Sequence, residues 1–339
     1  MKTGTVALAA MLCMFAAGAD AVDYLVNEPG RWSVWKFRAE PFTRRAYGAS
    51  GADLTAFEAE LRALDALIRR ASAVAHPVGF SAQTWGNLSG YAAQAPGQPK
   101  GDELPLGGGL TFGAFSIFSY ERNGKTIRED GGETELLQFV VNDIQPPVLD
   151  GRVRPYEWED VDTDAFVQPQ EKDAVSGFPR YGNIIVIKKR PAPVWVPVPV
   201  EQALRLVIAA EQKKRRYLVE THGSEAAIKR IEEKIASVEA HIASLRPEDR
   251  GAPSCWTARG NGGWGQRFQI GAGPDCRPLV RPNWEYFDRR LPRSMPQVLV
   301  IFDVARCYEG RQVERPGGCA TNRRLLDTID RQALLDWLH

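Results

Sequence analysis

The sequence predicts an α+β fold, in which an antiparallel sheet carries a packed helix, a coiled-coil-like helical hairpin and a disulfide-bonded C-terminal part. Three observations predict this class: two consecutive amphipathic helix patterns, a series of short apolar segments between turn signals, and four cysteines late in the chain. Helices and strands that form separate runs along a chain are typical of α+β architectures. With 339 residues, 44% of them hydrophobic, the chain can bury a sizeable core.

The helical hairpin is predicted over residues 199–247. Its second helix has apolar residues at alternating steps of three and four, which places them along one face. This seam consists of Ile228, Ile231, Ile235, Val238, Ile242 and Leu245. A similar pattern, ending at Tyr217, precedes Gly223, so each helix can bury its apolar face against the other. We expect a charge at Ile235 to destabilise the hairpin severely and a charge reversal at Lys234 to have a mild effect.

The strands of the sheet are predicted from short apolar segments and from the turn signals between them. Asn123-Gly124 separates two such segments and indicates a two-residue β-hairpin. A second turn is expected at 130–132, followed by a third antiparallel strand. The predicted strands cover residues 32–37, 110–120, 125–127, 136–141, 182–187, 194–200 and 298–304, with 194–200 at an edge.

Two further helices and one long loop complete the predicted order. A helix that starts at Asp53 has a core-facing stripe, and Thr55 and Glu58 have the spacing of a capping box. Residues 77–109 are rich in glycine, proline, serine and glutamine, so they are predicted to form a surface loop. The last helix is predicted from about Asn322 onward.

The N-terminus has the pattern of a secretory signal peptide. Lys2 precedes an apolar run over residues 6–17, and Ala19 and Ala21 are small residues at the positions that signal peptidase inspects. We expect cleavage after Ala21 and a periplasmic or secreted mature protein. A lipoprotein anchor at Cys13 is the alternative. No later segment reaches the roughly 18 apolar residues of a transmembrane helix, so none is predicted in the mature chain.

The four later cysteines predict two disulfides, because their number is even and the signal peptide indicates an oxidising compartment. Pairing between sequence neighbours joins Cys255 to Cys276 and Cys307 to Cys319, and two other connectivities stay open. The chain thus divides into a signal peptide, an α+β sheet region, the hairpin and a cysteine-containing region that completes the same fold. These four parts are residues 1–21, 22–198, 199–247 and 248–339.

Charge and motif spacing exclude several function classes. Lysine and arginine number 43 against 42 acidic residues, so the net charge of +1 predicts no affinity for nucleic acid. Gly124-Lys125-Thr126 lacks the earlier glycine and the following helix of a phosphate-binding loop, and the four histidines do not have His-Glu-x-x-His spacing. We therefore predict no catalytic residues, no cofactor and no metal site.

The acidic segment from Asp160 to Glu171 resembles part of an EF-hand loop, because aspartate recurs at alternate positions. Ala165 stands where that loop requires glycine, and nearby prolines disfavour the flanking helices. We expect a solvated acidic connection without useful calcium affinity. Calcium binding at this turn is the alternative.

The first candidate binding surface is an aromatic loop between Cys255 and Cys276. Aromatic and arginine side chains that a disulfide holds among glycines can stack on a sugar or a peptide. The candidate residues are Trp256, Trp264, Phe268, Arg259 and Arg267. A small satellite core within the loop is the alternative. A basic cluster at residues 213–216 indicates either a phosphate or lipid headgroup site or, more simply, a solvated helix face.

Together these features predict an exported, non-catalytic binding protein whose partner is an unknown protein or glycan. The helical hairpin is a further contact through which the protein could form an oligomer. The alternative function is that of a secreted hydrolase, with an active site assembled from residues that are distant in the sequence. A deep pocket with converging reactive side chains favours the enzyme, and an exposed apolar surface on the hairpin favours the binding protein.

Overall fold

A computed structural model describes residues 23–33, 35–89, 99–131, 134–145, 163–257, 276–302, 304–309 and 315–339. The expected signal peptide, with Cys13 and the cleavage position after Ala21, lies outside these ranges. The fold is mixed α/β with antiparallel sheets and has two disulfides toward the C-terminus, in agreement with the predicted class.

Strands and helices are distributed over the whole described chain. The strands are β1 Asp23–Tyr24, β2 Phe37–Arg38, β3 Phe80–Leu88, β4 Gly108–Arg122, β5 Lys125–Asp130, β6 Leu136–Val141, β7 Phe166–Val167, β8 Glu171–Val175, β9 Phe178–Tyr181, β10 Ile184–Lys188, β11 Trp195–Pro197, β12 Cys255–Thr257, β13 Cys276–Pro282 and β14 Val298–Phe302. The helices are α1 Pro41–Ala46, α2 Gly51–Arg70, α3 Ser72–Ala75, α4 Val200–Glu220, α5 Glu225–Ser244, α6 Pro247–Gly251, α7 Val304–Glu309, α8 Gly318–Thr328 and α9 Arg331–Trp337.

The larger sheet has the strand order β2-β3-β4-β6-β14-β10-β9-β8, and β1 and β5 also pair with β4. Its pairs are antiparallel except for the parallel pair of β2 and β3. β14 pairs with both β6 and β10, so a strand from late in the chain lies between two strands from much earlier. Helices α2, α8 and α9 share one buried cluster with β3, β4, β6 and β14, so these helices cover the sheet.

The long strand β4 organises the first half of the larger sheet. Asn123 and Gly124 have φ angles of 54° and 70°, as a two-residue hairpin turn needs, and this confirms the predicted turn into β5. β6 also pairs with β4, with Leu136 opposite Gly113. β5 and β6 both run antiparallel to β4, so the chain does not reverse between them as a hairpin turn at 130–132 would require, and Gly132 of that expected turn lies outside the described residues. β4 has 15 residues and is long enough to pair with β5 and β6 one after the other.

β3 is an inner strand where the sequence predicts a surface loop. All nine of its residues pair with β4. Gly86 of β3 is small because another element approaches it closely: a Cβ atom there would lie 2.6 Å from the ring of Trp35. The loop predicted over 77–109 is thus wrong for residues 80–88.

Helix α2 begins earlier than predicted and has a different cap. The Ser50 hydroxyl accepts a hydrogen bond from the Asp53 backbone N–H, and the Asp53 carboxylate accepts one from the Ser50 N–H, which makes a complete capping box. Thr55 donates to the Gly51 carbonyl within the helix. The capping box predicted for Thr55 and Glu58 is wrong, because the chain is already helical at Gly51.

The last predicted helix is two helices in the structure. Asn322 lies inside α8 and is fully buried, so the helix does not begin there. Ile329 has an extended backbone and ends α8. The Asp330 carboxylate then accepts a hydrogen bond from the Ala333 N–H and begins α9.

Both disulfides join sequence neighbours. Cys255 in β12 is bonded to Cys276 in β13, and Cys307 in α7 is bonded to Cys319 in α8. Disulfides are typical of proteins that fold in an oxidising compartment. Across the described ranges, no helix is long and apolar enough to cross a membrane.

The smaller sheet supports the base of the two long helices. Its strand order is β11-β13-β12, and β7 also pairs with β13. Val167 of β7 and Leu279 of β13 belong to a buried cluster that also contains Ala203 and Val207 of α4 and Val238 of α5. The first turns of α4 and the last turns of α5 are therefore anchored on this sheet.

Candidate functional site

The helices α4 and α5 follow each other across a short turn and are each other's principal contact. α5 begins after Ser224, whose hydroxyl accepts a hydrogen bond from the Ala227 N–H. Of the predicted seam, Ile231, Val238 and Ile242 are buried. The remaining seam residues, Ile228, Ile235 and Leu245, are half-buried.

The two ends of this helix pair have different surroundings. The base belongs to the core cluster on the smaller sheet. Between residues 211 and 237, no described residue belongs to a core cluster with either sheet. We call residues 211–237 the hairpin tip. In the described structure the tip is held together by the packing of α4 on α5.

Two ion pairs join the helices within the hairpin tip. Lys234 Nζ lies 2.5 Å from Glu211 Oε1, and an Arg215 guanidinium nitrogen lies 2.7 Å from Glu232 Oε1. Glu211 is only 4% exposed, and its second oxygen, Oε2, has no hydrogen-bond partner in the described structure. A buried polar pair between two helices can set their register at a cost in stability.

Lys234 is part of the helix contact and not of a solvated face. Burial lowers the pKa of Lys234, the Glu211 carboxylate opposes this shift, and the nearby charge of Lys214 lowers the pKa further. The mild effect expected for a charge reversal at Lys234 no longer holds, because an aspartate there would face the buried Glu211 carboxylate. The severe effect expected at Ile235 is also too strong, since that side chain is only half-buried.

The hairpin tip exposes apolar and basic side chains side by side. Tyr217, which the pattern places against α5, is 63% exposed, and Val219 is 48% exposed. Lys213, Lys214 and Arg216 of the basic cluster are exposed as well. Tyrosine and arginine are enriched at protein interfaces whereas lysine is depleted there, so Tyr217 and Arg216 are the residues of this surface that best fit a contact with a partner.

The buried ion pair of Glu211 was not predicted from the sequence, although the spacing of Glu211 from the apolar residues of α4 indicates burial. Glu211 follows Val207 by four residues, so it lies on the same face of α4 as the buried valine. A carboxylate on an apolar face requires a partner from another element. Lys234 is the residue of α5 that supplies it.

The predicted aromatic loop lies mostly outside the described ranges. Trp256 is described, is half-buried, and packs against the cluster beneath the helix pair. The other four candidate residues, Arg259, Trp264, Arg267 and Phe268, fall in residues 258–275, which the structure does not describe. Binding by this loop stays a prediction.

The acidic segment is described only from Thr163 onward, so Asp160 lies outside the described ranges. Thr163 and Asp164 are buried, and this end of the segment is not the solvated connection that the sequence predicts. Within the described ranges, no group of three or more histidine, cysteine or acidic residues is placed to hold a metal ion.

The polar side chains that line one described cleft hold local structure together. Asp288, Arg293 and Gln297 are among the residues that line a cleft of about 250 Å³. Arg293 donates hydrogen bonds to three backbone carbonyl groups, and Asp288 accepts two from the Arg290 guanidinium, so both hold local structure together. Among the described residues, no hydrogen bond joins a histidine side chain to a hydroxyl or carboxylate group.

No known protein family, no curated protein and no solved structure matches this chain. The assignment of a site therefore depends on the geometry of its own residues. The hairpin tip combines an exposed aromatic ring and exposed basic side chains on two long helices.

Proposed function

We propose that the protein is an exported, non-catalytic binding protein that contacts its partner through the hairpin tip. The proposal includes cleavage of a signal peptide after Ala21 and coiled-coil-like packing of α4 on α5. The disulfides support it, because they persist in the oxidising compartments to which signal peptides lead.

The observation that carries the proposal is the exposure of Tyr217 on a tip that packs only on itself in the described ranges. A tyrosine on a helix has two side-chain torsions to restrict, so it loses little conformational entropy when a partner covers it. Aromatic anchors of this type contribute about 2 kcal/mol or more when they fill a pocket on the partner. Val219 and Arg216 lie within one turn and extend the contact surface.

Site-specific photocrosslinking in cells that export the protein tests this proposal. A photoreactive amino acid replaces Tyr217 in one version and Lys125, which is exposed in β5, in the control version. We expect discrete adducts from position 217 and none of the same mobility from position 125. Equal adducts from both positions, or none from position 217, would contradict the proposal.

A separate activity measurement tests the alternative function, that of a hydrolase. His222 and His241 are the histidines of the helix pair. A hydrolytic activity of the purified protein that is abolished by His222→Ala or His241→Ala, with an unchanged melting temperature, would replace the binding function by an enzymatic one. Loss of adducts at position 217 together with such an activity would settle the choice for the enzyme.

A further inference from the structure

Strand β5 has one edge that no described strand covers. All six of its residues pair with β4, and its other edge has no partner among the described strands. An open edge offers its unpaired backbone N–H and C=O groups to a strand of another chain. The exposed residues of β5 are Lys125, Thr126, Arg128 and Glu129. β8, which ends the larger sheet, differs because its register shifts between Lys172 and Val175, and such an irregularity protects an edge from pairing.

The hydrogen bonds to β4 determine which backbone groups of β5 point to the open edge. The Gly131 N–H donates to the carbonyl of Ser116, the residue directly opposite. In an antiparallel pair, opposite residues alternate between hydrogen-bonded and non-hydrogen-bonded pairs. Ile127, four residues before Gly131, is therefore bonded to β4. Thr126 and Arg128 on either side of it direct their N–H and C=O groups to the open edge.

Two copies of β5 can pair antiparallel only when outward-pointing residues lie opposite each other. One such register places Thr126 opposite Arg128 of a second copy. Ile127 then lies opposite its own counterpart on a twofold axis, and Lys125 lies opposite Glu129. A shift of two residues in one direction would set Arg128 against Arg128, and a shift in the other direction would set Ile127 against Lys125. The charges of the strand thus favour the first register.

The side chains on one face of β5 suit this register. Lys125, Ile127 and Glu129 share that face, because side chains alternate along a strand. The Tyr120 hydroxyl donates to Glu129 Oε1 at 3.1 Å and holds the carboxylate on the face. The Lys125 ammonium has no ion pair or hydrogen bond with a described residue, and Ile127 is half-buried. A second copy gives Lys125 an ionic partner and covers Ile127.

The opposite face of β5 is tied to the rest of the protein. Arg128 Nη2 lies 3.2 Å from Glu28 Oε1, and the Ser81 hydroxyl donates to Asp130 Oδ2 at 2.7 Å. These contacts hold the strand in place while its edge stays open. Pairing with a second copy therefore requires no rearrangement of the strand, which lowers the cost of association.

We propose that two copies of the protein form a symmetric dimer by antiparallel pairing of their β5 strands. Thr126 of each copy exchanges backbone hydrogen bonds with Arg128 of the other, and Lys125 pairs with Glu129 across the interface. A charged edge resists unrelated strands, but this edge is complementary to itself. The dimer is independent of the proposed function, since the hairpin tip and β5 are separate parts of the fold.

Analytical ultracentrifugation of the oxidised protein over a range of concentrations tests the dimer. We expect the weight-average mass to rise from that of one chain toward that of two as the concentration increases. A protein that stays monomeric at millimolar concentration would overturn the proposal.

A charge exchange separates the paired edge from a general effect of charge. Lys125→Glu sets two carboxylates opposite each other in both halves of the interface, so it should raise the dimer dissociation constant about tenfold or more. Lys125→Glu/Glu129→Lys has the parent's net charge and should restore the dimer. Lys172→Glu, on the exposed strand β8, is the matched control and should leave the dissociation constant unchanged. Equal losses in Lys125→Glu and Lys172→Glu, or no recovery in the double variant, would overturn the proposal.

Proline substitutions test the backbone hydrogen bonds. Thr126→Pro removes an N–H that points away from β4, so it should abolish the dimer and keep the melting temperature of the monomer. Ile127→Pro removes an N–H that is bonded to β4 and should lower the melting temperature. A dimer that survives Thr126→Pro would overturn the strand pairing.

Single cysteines determine the register. Ile127 lies opposite its counterpart on the axis, so Ile127→Cys should form a disulfide between two copies under mild oxidation. Arg128→Cys should form far less, because the two positions 128 lie diagonally across the axis. A disulfide at position 128 but not at position 127 would overturn the register. If no dimer forms while discrete adducts appear at position 217, the dimer falls and the proposed binding function stands.

Discussion

Single residues decide how the hairpin tip is held together. Glu211 is buried, and its partner Lys234 comes from the facing helix. Removing one member of such a pair leaves a desolvated charge, which costs more than the pair itself contributes. Lys234 is therefore a structural residue, although its sequence neighbours are mostly polar and its position outside the apolar seam indicates a solvated face.

The first prediction concerns this ion pair. Lys234→Asp should destabilise the protein by about 2 kcal/mol or more, because it places a second carboxylate against buried Glu211. The double variant Glu211→Leu/Lys234→Met should be neutral or stabilising, since the same space is then filled by apolar groups. Urea unfolding of the two variants and the parent measures both effects. Similar stabilities for Lys234→Asp and the parent would show that the pair is not buried in solution.

The second prediction concerns Asp143, which follows β6. Burial raises the pKa of Asp143 from 3.8 to about 7, and the hydrogen bond from the Gln145 N–H only partly opposes this shift. The folded state therefore holds the proton more tightly than the unfolded state. The stability contributed by this group is complete below about pH 4 and is lost as the pH rises toward 7.

Asp143→Asn should remove this loss. The free energy of unfolding should then vary less between pH 4 and pH 7 than in the parent. Asp173→Asn, on the exposed side of β8, is the matched control and should keep the parent's pH dependence. Parallel pH profiles for Asp143→Asn and the parent would contradict the prediction.

At the scale of elements, α4 and α5 are continuous helices with two differently supported halves. Val238 lies in the cluster on the smaller sheet, whereas Ile231 is buried in the tip, where the facing helix provides the packing. Substitutions at these two positions should destabilise regions of different size. The reason is that local unfolding takes place in cooperative units, whose residues share packing contacts.

The third prediction compares two aspartate substitutions in α5. Ile231→Asp should open the hairpin tip while the sheets stay folded, and Val238→Asp should lower the global stability by several kcal/mol. Hydrogen exchange measures the difference: Ile231→Asp should lose protection over residues 211–237 only. Ile235→Asp should be milder than both, because Ile235 is half-buried. Loss of protection throughout the protein in Ile231→Asp would show that tip and base unfold together.

At the scale of the whole molecule, strands from distant parts of the chain complete the sheets. β14 joins β6 and β10 in the larger sheet, and β13 joins β7, β11 and β12 in the smaller one. The disulfides hold two of the late segments in place. One links adjacent strands beneath the helix pair, and the other links α7 to α8 against the larger sheet.

The fourth prediction concerns these bonds. Replacing both cysteines of either pair by serine should destabilise the protein by about 3 kcal/mol, since each bond closes a short loop in the unfolded chain. Non-reducing peptide mapping of the exported protein should recover both neighbour pairs. Free thiols at Cys255 or Cys307 would contradict the assigned pairing, and an unchanged melting temperature for either double variant would contradict the stabilising role.

Some features of the fold could be predicted from residues that are close together in the sequence. The turn at Asn123-Gly124 is one, because both positions need the positive φ angles that asparagine and glycine tolerate. The two long helices are another, since periodic apolar residues determine a helix over many turns. The neighbour pairing of the cysteines was one of three connectivities that the sequence left open.

Other features depended on partners that are distant in the sequence. The sequence of β3 predicts a loop, and its place in the sheet depends on contacts with Trp35 and β4. Similarly, the residue type predicts an exposed Glu211, and its burial depends on the ion pair with Lys234. Tyr217 has the spacing of a core residue, yet the packing of the tip leaves it exposed. Local conformation follows from the steric and hydrogen-bonding preferences of adjacent residues, whereas burial and charge pairing depend on which surfaces meet in three dimensions. Only the tertiary structure therefore identified the hairpin tip as the candidate binding surface.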